Sequence, residues 1–203
     1  MKLLSSPASP YARKVRLTAR IKGLAGRIEE ATTDTNTPGN ADLMRVNPLS
    51  KIPALITDDG LMVYDSAVIC EYLDAQAPAP VLFPTDPAKR WPVLVQSALG
   101  DGILDAAILL VYEKRFRPED KWVPAWMERQ QAKIDGAIAH LEAAPPAFDG
   151  QPDYGTLTIA CALGYLDFRH AGTWRANAPK MVAWLDKFAA AVPGFGETAP
   201  PPA

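Results

Sequence analysis

Ten residues in the first half of the chain constrain its folding more than any others. Between 78 and 87 it carries Pro78, Pro80, Pro84 and Pro87. Each proline lacks an amide hydrogen and its ring collides with the preceding turn, so neither a helix interior nor a central strand runs through this stretch. The stretch reads as a linker. It divides the 203 residues into segments 1–77 and 88–203, each long enough for a compact domain.

The two segments have different hydrophobic rhythms. In the first, 2–5 and 27–31 read as short strands on either side of a helix over 11–22, where Val15, Leu17, Ala19 and Ile21 partly share a face and Gly23 supplies the stop. Two more strands, 54–57 and 61–64, flank Asp58-Asp59-Gly60, a tight-turn signal that pairs them as a hairpin. Asp65 and Ser66 then cap a helix expected to bury Val68, Ile69, Tyr72 and Leu73 as one stripe. The order is β-α-β, a loop with a short helix, then β-β-α. In the second segment, 89–115, 124–142, 158–168 and 179–191 all carry apolar residues at helical spacing, which predicts an all-α domain. The proline-rich tail from Thr198 to Ala203 is expected to fray.

Composition narrows the function. Apolar residues are 48% and charged residues 22%, as in ordinary globular proteins, and 21 basic against 23 acidic residues leave a net charge of -2 with no basic run. Nucleic acid and anionic membrane are therefore poor partners, and a small molecule is the better one. No run of about 20 apolar residues marks a membrane span, and the N-terminus does not read as a signal peptide, so the expected location is cytoplasmic. Cys70 and Cys161 are far apart and form no metal-ligand or CxxC spacing; both read as core residues, and no metal is expected.

Three motifs carry chemistry. Ser9-Pro10-Tyr11-Ala12 opens the first helix and resembles the Cys-Pro-Tyr-Cys site of glutaredoxins with both cysteines replaced. The run from Asn47 through Ser50, Lys51, Ile52 and Pro53 to Leu55 is similar to the segment of glutathione transferases that leads into their cis-proline, and Asp65-Ser66 is similar to their acidic-Ser pair. The motifs follow one another in that family's order, and with the helical second half the resemblance covers essentially the whole chain. It implies an α/β thioredoxin-like domain that binds glutathione, followed by an all-helical domain that shapes the acceptor pocket.

The resemblance also implies roles. Ser9, at a helix N-terminus where free N–H groups and the macrodipole favour an anion, stabilises the glutathione thiolate, with Tyr11 beside it and Ser6, then Ser5, as competitors for the part. The backbone of Ile52, freed by a cis bond to Pro53, pairs with the cysteinyl part of glutathione, and Lys51 faces its glycyl carboxylate. Ser66 binds the γ-glutamyl carboxylate and Asp65 the α-amino group, although both are good helix caps in any case. Tyr112, Arg115, Phe116 and Trp122 are candidates for the acceptor pocket. The expected activity is conjugation of glutathione to small hydrophobic electrophiles in detoxification, with peroxide reduction as a possible second reaction.

A homodimer is implied as well, with contacts near Cys70 and the helix bearing Leu99 and Asp101. One departure from the family stands out. Thr158-Ile159-Ala160-Cys161 falls where transferases carry a Ser/Thr-x-x-Asp capping box, so Thr158 is expected to cap its helix without the reciprocal bond. Two alternatives remain open. A glutathione-dependent thiol oxidoreductase is disfavoured because its mixed disulfide needs a cysteine where Ser9 stands, and a non-catalytic binding module would keep the fold without turnover.

Overall fold

The structure, a computed structural model, describes residues 1–35 and 40–201. It divides into two compact units: Met1–Thr85 joined by the segment that starts at Val192, and Asp86–Ala191.

The first unit contains β1 (Lys2–Ser5), α1 (Pro10–Ile21), β2 (Glu29–Thr32), α2 (Ala41–Val46), β3 (Ala54–Ile56), β4 (Met62–Val63) and α3 (Ser66–Ala75). The sheet order is β2-β1-β3-β4, with β1 and β2 parallel and β3 antiparallel to both of its neighbours. This is the thioredoxin-like arrangement. α1 and α3 pack on each other, and Leu3, Val15, Leu17, Leu55, Ile69 and Leu73 form the dry interior. Leu4, Leu43, Val46 and Ala54 close the core beneath α2.

Local chemistry explains the boundaries. Ser9 caps α1, Pro10 occupies its first turn, and Gly23 ends it at φ 68, where the Leu24 amide reaches the Ala19 carbonyl at 2.7 Å in a Schellman closure. Gly60, at φ 87, turns β3 into β4, and the Thr57 hydroxyl accepts from the Leu61 amide at 2.8 Å. Both strands are shorter than the sequence pattern predicts because 57–61 is spent on this turn. The α3 stripe is also shifted: Ile69, Cys70 and Leu73 are fully buried, Tyr72 is half-buried, and Val68 is 52% exposed. Val68 points away because the buried face follows Ser66, Ile69, Cys70 and Leu73 at helical spacing.

The proline stretch is held in place by charge. Lys22 Nζ, almost wholly buried, pairs with Asp74 at 2.8 Å and donates to the Pro80 carbonyl at 2.5 Å. The Asp74 carboxylate also accepts from the amides of Leu82 and Phe83, each at 3.0 Å. A chain that cannot form its own ladder is thus fastened to α1 and α3 by one ion pair.

The second unit is helical: α4 (Pro87–Phe116), α5 (Pro124–Ala143), α6 (Tyr154–Arg169) and α7 (Pro179–Ala191). α6 is its core, with Leu157, Ile159, Ala160, Cys161 and Leu163 fully buried, and it packs chiefly on α4. Two glycines allow the close approach. A Cβ on Gly100 would lie 2.8 Å from Thr158 Cγ2, and one on Gly155 would lie 2.9 Å from the Val93 carbonyl. α4 is, by length and composition, apolar enough to cross a membrane, yet it carries Asp101 and Asp105 and packs against α5 and α6.

The α6 cap corrects the sequence expectation. Asp153, not Thr158, is the N-cap: its carboxylate accepts from the Thr156 amide at 2.8 Å, and the Thr156 hydroxyl accepts from the Asp153 amide at 2.9 Å. A capping box is therefore present, five residues upstream of where the family pattern was sought. Thr158 lies inside the helix, where its hydroxyl donates to the Tyr154 carbonyl at 2.7 Å.

The chain's last segment is a second correction. From Val192 on it belongs with the first unit rather than the helical one, and it includes a short α8 (Gly194–Glu197). Thr198, expected to fray, is fully buried; of the tail beyond it, Pro202 and Ala203 lie outside the described residues.

Asp153→Ala should lower unfolding stability by about 1 kcal/mol through loss of the cap. Chemical denaturation checks this, and no loss would show that packing alone fixes the start of α6.

Candidate functional site

Strand register places the three motifs at one end of the sheet. Leu4 on β1 pairs with Ala54 on β3, and Leu55 pairs with Val63 on β4. Because β3 runs against both neighbours, the C-terminal ends of β1 and β4 lie beside the N-terminal end of β3. The loop carrying Ser6 and Ser9 leaves β1 there, Ile52 and Pro53 enter β3 there, and Asp65 and Ser66 leave β4 there.

Ser9 Oγ accepts from the Ala12 amide at 3.2 Å, and its own amide donates to the Ser6 carbonyl at 3.0 Å. Capping occupies a lone pair of the hydroxyl and leaves its hydrogen available to donate. Tyr11, half-buried in the first turn of α1, has the Lys14 ammonium 5.7 Å from its ring centroid. Ser5 is buried in β1, with its carbonyl accepting from the Thr33 amide at 2.9 Å, whereas Ser6 is half-buried in the loop.

The Ile52–Pro53 bond is cis, as the resemblance implies; the Tyr64–Asp65 and Ala79–Pro80 bonds are cis too. Ile52 is half-buried, Pro53 buried and Lys51 exposed. Sequence reading gave no role to Asn47, which organises this loop. It is buried, its Nδ2 donates to the Lys51 carbonyl at 2.9 Å, and its Oδ1 accepts from the Leu49 amide at 3.0 Å. Ser50 takes φ 52 inside that bracket. The available signal was an Asn directly before Pro48, a pair that favours turns.

Asp65 caps α3 through Oδ1, which accepts from the Ala67 amide at 3.0 Å, and Ser66 is buried in the first turn. No hydrogen bond engages the Ser66 hydroxyl among the described residues. The free N–H groups of α3 and its dipole favour an anion beside it.

The remaining candidates lie in the helical unit. Tyr112, Arg115 and Phe116 occupy the last turns of α4, and the Tyr112 and Phe116 rings meet edge-on at 5.1 Å. Trp122 is fixed by its Nε1 donating to the Arg117 carbonyl at 3.1 Å. Sequence reading missed Tyr165 on α6, which is only 5% exposed; burial pushes its hydroxyl up to about 12 despite the nearby Arg169 and Arg115. His170 follows α6, its Nε2 3.1 Å from the Ala107 carbonyl. Burial holds its imidazole below the usual histidine range, against the effect of that hydrogen bond.

Known proteins share this design. Residues 8–76 match the glutathione S-transferase N-terminal domain and residues 124–187 its C-terminal domain. A glutathione transferase family member from Pseudomonas fluorescens Pf-5, solved with bound glutathione, is 39% identical over 98% of both chains with a TM-score of 0.91. A second structure of a Pf-5 family member, holding S-(propanoic acid)-glutathione, is also 39% identical, over 99% of this chain and 100% of that one, with a TM-score of 0.87. The uncharacterized GST-like protein YibF of Escherichia coli K12 is 34% identical over the full length of both chains. A stringent starvation protein A homolog of Pasteurella multocida is 36% identical over 70% of this chain and 73% of its own.

A thioredoxin-like domain with these motifs, followed by a helical domain, defines the class. The chain belongs to the glutathione S-transferase family.

His170 gives the helical unit a pH signature. Its folded pKa lies below the unfolded value, so the unfolded chain binds the extra proton first. Stability is full above the unfolded histidine pKa of about 6.5 and falls as pH drops toward the lower folded value. Denaturation midpoints should therefore decline from pH 7 to 5.5, and His170→Gln should flatten that slope. An unchanged slope would remove His170 as its source.

Proposed function

We propose that the protein is a serine-type glutathione transferase of the cytoplasm that conjugates glutathione to small electrophiles. The observation that supports this best is the convergence of Ser9, the cis Ile52–Pro53 bond and Asp65-Ser66 at one end of the sheet. The relatives solved with glutathione and with a glutathione thioether agree with it.

In this reading the γ-glutamyl carboxylate sits at the α3 N-terminus on Ser66, and Asp65 faces the α-amino group. The Ile52 backbone aligns the cysteinyl part, and Lys51 attracts the glycyl carboxylate. The Ser9 hydroxyl donates to the sulfur, with the α1 dipole behind it, so a thiol of ordinary pKa about 8.5 becomes thiolate near neutral pH. The thiolate attacks an electrophilic carbon; a sulfur–carbon bond forms as the leaving group departs. With a peroxide, two glutathiones are oxidised to the disulfide while the peroxide is reduced to alcohol and water. A glutaredoxin-like mixed disulfide is not available to Ser9, which has no sulfur.

Calorimetry and thiolate absorbance test these roles. Ser66→Ala should weaken glutathione binding by about 1–3 kcal/mol. Ser9→Ala should leave binding nearly unchanged, raise the bound thiol's pKa by about one to two units, and slow turnover near neutral pH about tenfold. Denaturation of the same variant separates loss of the α1 cap from loss of chemistry. An unaltered titration and rate would move the role to Ser6, Tyr11 or the helix amides, and absence of all turnover would favour a non-catalytic module.

The proposal includes a twofold dimer. Cys70 is fully buried. On α4, Trp91 and Val95 are 63% and 70% exposed at a spacing of four residues. An apolar face of this kind suits a self-complementary interface. Sedimentation should show a dimer at micromolar concentration, and Val95→Glu should shift it to monomer; a monomeric parent would refute the assembly.

A further inference from the structure

One face of α5, the end of α6 and the turn that follows it line a cavity. Gln131, Ile134, Asp135, Ile138 and Ala139 recur at intervals of three and four and so share one side of α5. Leu166 and His170 stand one turn apart at the end of α6. Gly172, at φ 62, then leads the chain into a 3-10 turn, Thr173–Asn177, that packs against both helices. Between these elements lies a volume of about 210 Å³, and every residue that lines it belongs to the helical unit.

The walls are fixed by bonds of their own. Trp174 donates through Nε1 to Asp167 Oδ1 at 2.9 Å, and Arg175 holds the same carboxylate with bonds of 2.9 and 2.6 Å. A Cβ at Gly172 would lie 3.0 Å from that Oδ1, so the turn needs its glycine. Ile134, Ile138, Leu166 and Trp174 are buried and give the cavity an apolar floor.

Its polar side offers acceptors. His170 Nε2 lies 3.1 Å from the Ala107 carbonyl, which only accepts, so that nitrogen carries the hydrogen; burial holds the ring neutral near pH 7 and leaves Nδ1 a lone pair. Among the described residues that line the cavity, Asp135 alone is charged. Its Oδ1 accepts from Gln131 Nε2 at 2.8 Å, and no cation pairs with it among the described residues. Two cations close by in sequence are engaged elsewhere, Lys133 Nζ with Gln130 Oε1 at 2.9 Å and Arg175 with Asp167 at 2.6 Å.

A carboxylate and a ring nitrogen that accept, beside an apolar floor, suit a cation with an apolar body. An apolar cavity of about 150 Å³ holds benzene, so this one has room for a ring and a short chain. We propose that the helical unit binds a small arylalkyl ammonium ion here, with its charge on Asp135 and its ring against Ile134, Ile138, Leu166 and Trp174. The site goes beyond the transferase reading and does not depend on it.

Three probes of similar size test this near neutral pH: 2-phenylethylamine as its ammonium ion, the uncharged 2-phenylethanol, and the anion phenylacetate. Calorimetry on the full chain should give the ammonium ion an affinity about fivefold above that of the alcohol, with phenylacetate weakest. Asp135→Asn should bring the first two affinities together, and Asp135→Lys should put phenylacetate first. Asp135 is exposed, so both variants should keep the parent's thermal midpoint. Ala139→Phe adds a ring to the cavity wall and should weaken the ammonium ion and the alcohol alike. Equal affinities for the three probes in the parent, or no binding of the ammonium ion at millimolar concentration, overturns the proposal. An ammonium preference that survives Asp135→Asn, or binding left intact by Ala139→Phe, places the probe elsewhere and overturns it too.

Discussion

The antiparallel seating of β3 between β1 and β4 is the constraint on which the candidate site depends. Three residues of β3 set the register, with Leu4 opposite Ala54 and Leu55 opposite Val63. A slip of one residue would turn the fully buried Leu55 to the other face. It would also separate the loop before α1 from the residues before α3, because among the described residues no hydrogen bond of Ser9, Asp65 or Ser66 joins the two loops. The site is thus assembled by the burial of a few strand side chains, and the loops inherit their placement.

How much of this was legible in the sequence depended on whether the cause was local. Turn and cap chemistry is local, so Gly23, Gly60, Ser9 and Asp65 marked their boundaries well. The order of elements followed from periodicity, and the family motifs pointed to the residues that converge. Errors arose where two local signals competed. Thr158 resembled a cap, yet Asp153 with Thr156 makes the better one because an ionised acceptor meets the amide at the helix's positive end. Val68 looked like part of a buried stripe, and only the packing of α3 showed which side of its helix faced in. Tyr165 drew no notice because a tyrosine in an apolar helix reads as core, and it is buried there.

The helical unit depends on close backbone approach as the first unit depends on strand register. Gly100 and Gly155 remove the side chains that would hold α4 and α6 apart. Close, parallel packing then fixes the register of the two helices, with His170 just after α6 meeting Ala107 while α4 runs on to Phe116. Each helix presents the negative end of its dipole at its last turn, which favours basic residues there. Lys114, Arg115 and Arg169 meet that demand.

The final segment shows how the first unit extends control to the loop that carries Ser9. Arg13, buried on α1, donates to the Phe195 carbonyl at 2.8 Å and lies 4.0 Å from the centroid of that ring. Arg16, one turn on, donates both to the Thr198 carbonyl at 3.1 Å and to the Pro7 carbonyl at 3.2 Å. One guanidinium therefore spans the chain's last segment and the loop between β1 and Ser9. Charge-assisted bonds to carbonyls in a buried setting are strong, and losing one leaves a buried donor without its partner. The sequence gives no local sign of this, since the partners lie 182 residues apart and the tail's prolines read as disorder. What keeps Thr198 buried is not its own segment's propensity but the need of two arginines on α1 for carbonyl acceptors, and that need ties the geometry around Ser9 to the end of the chain.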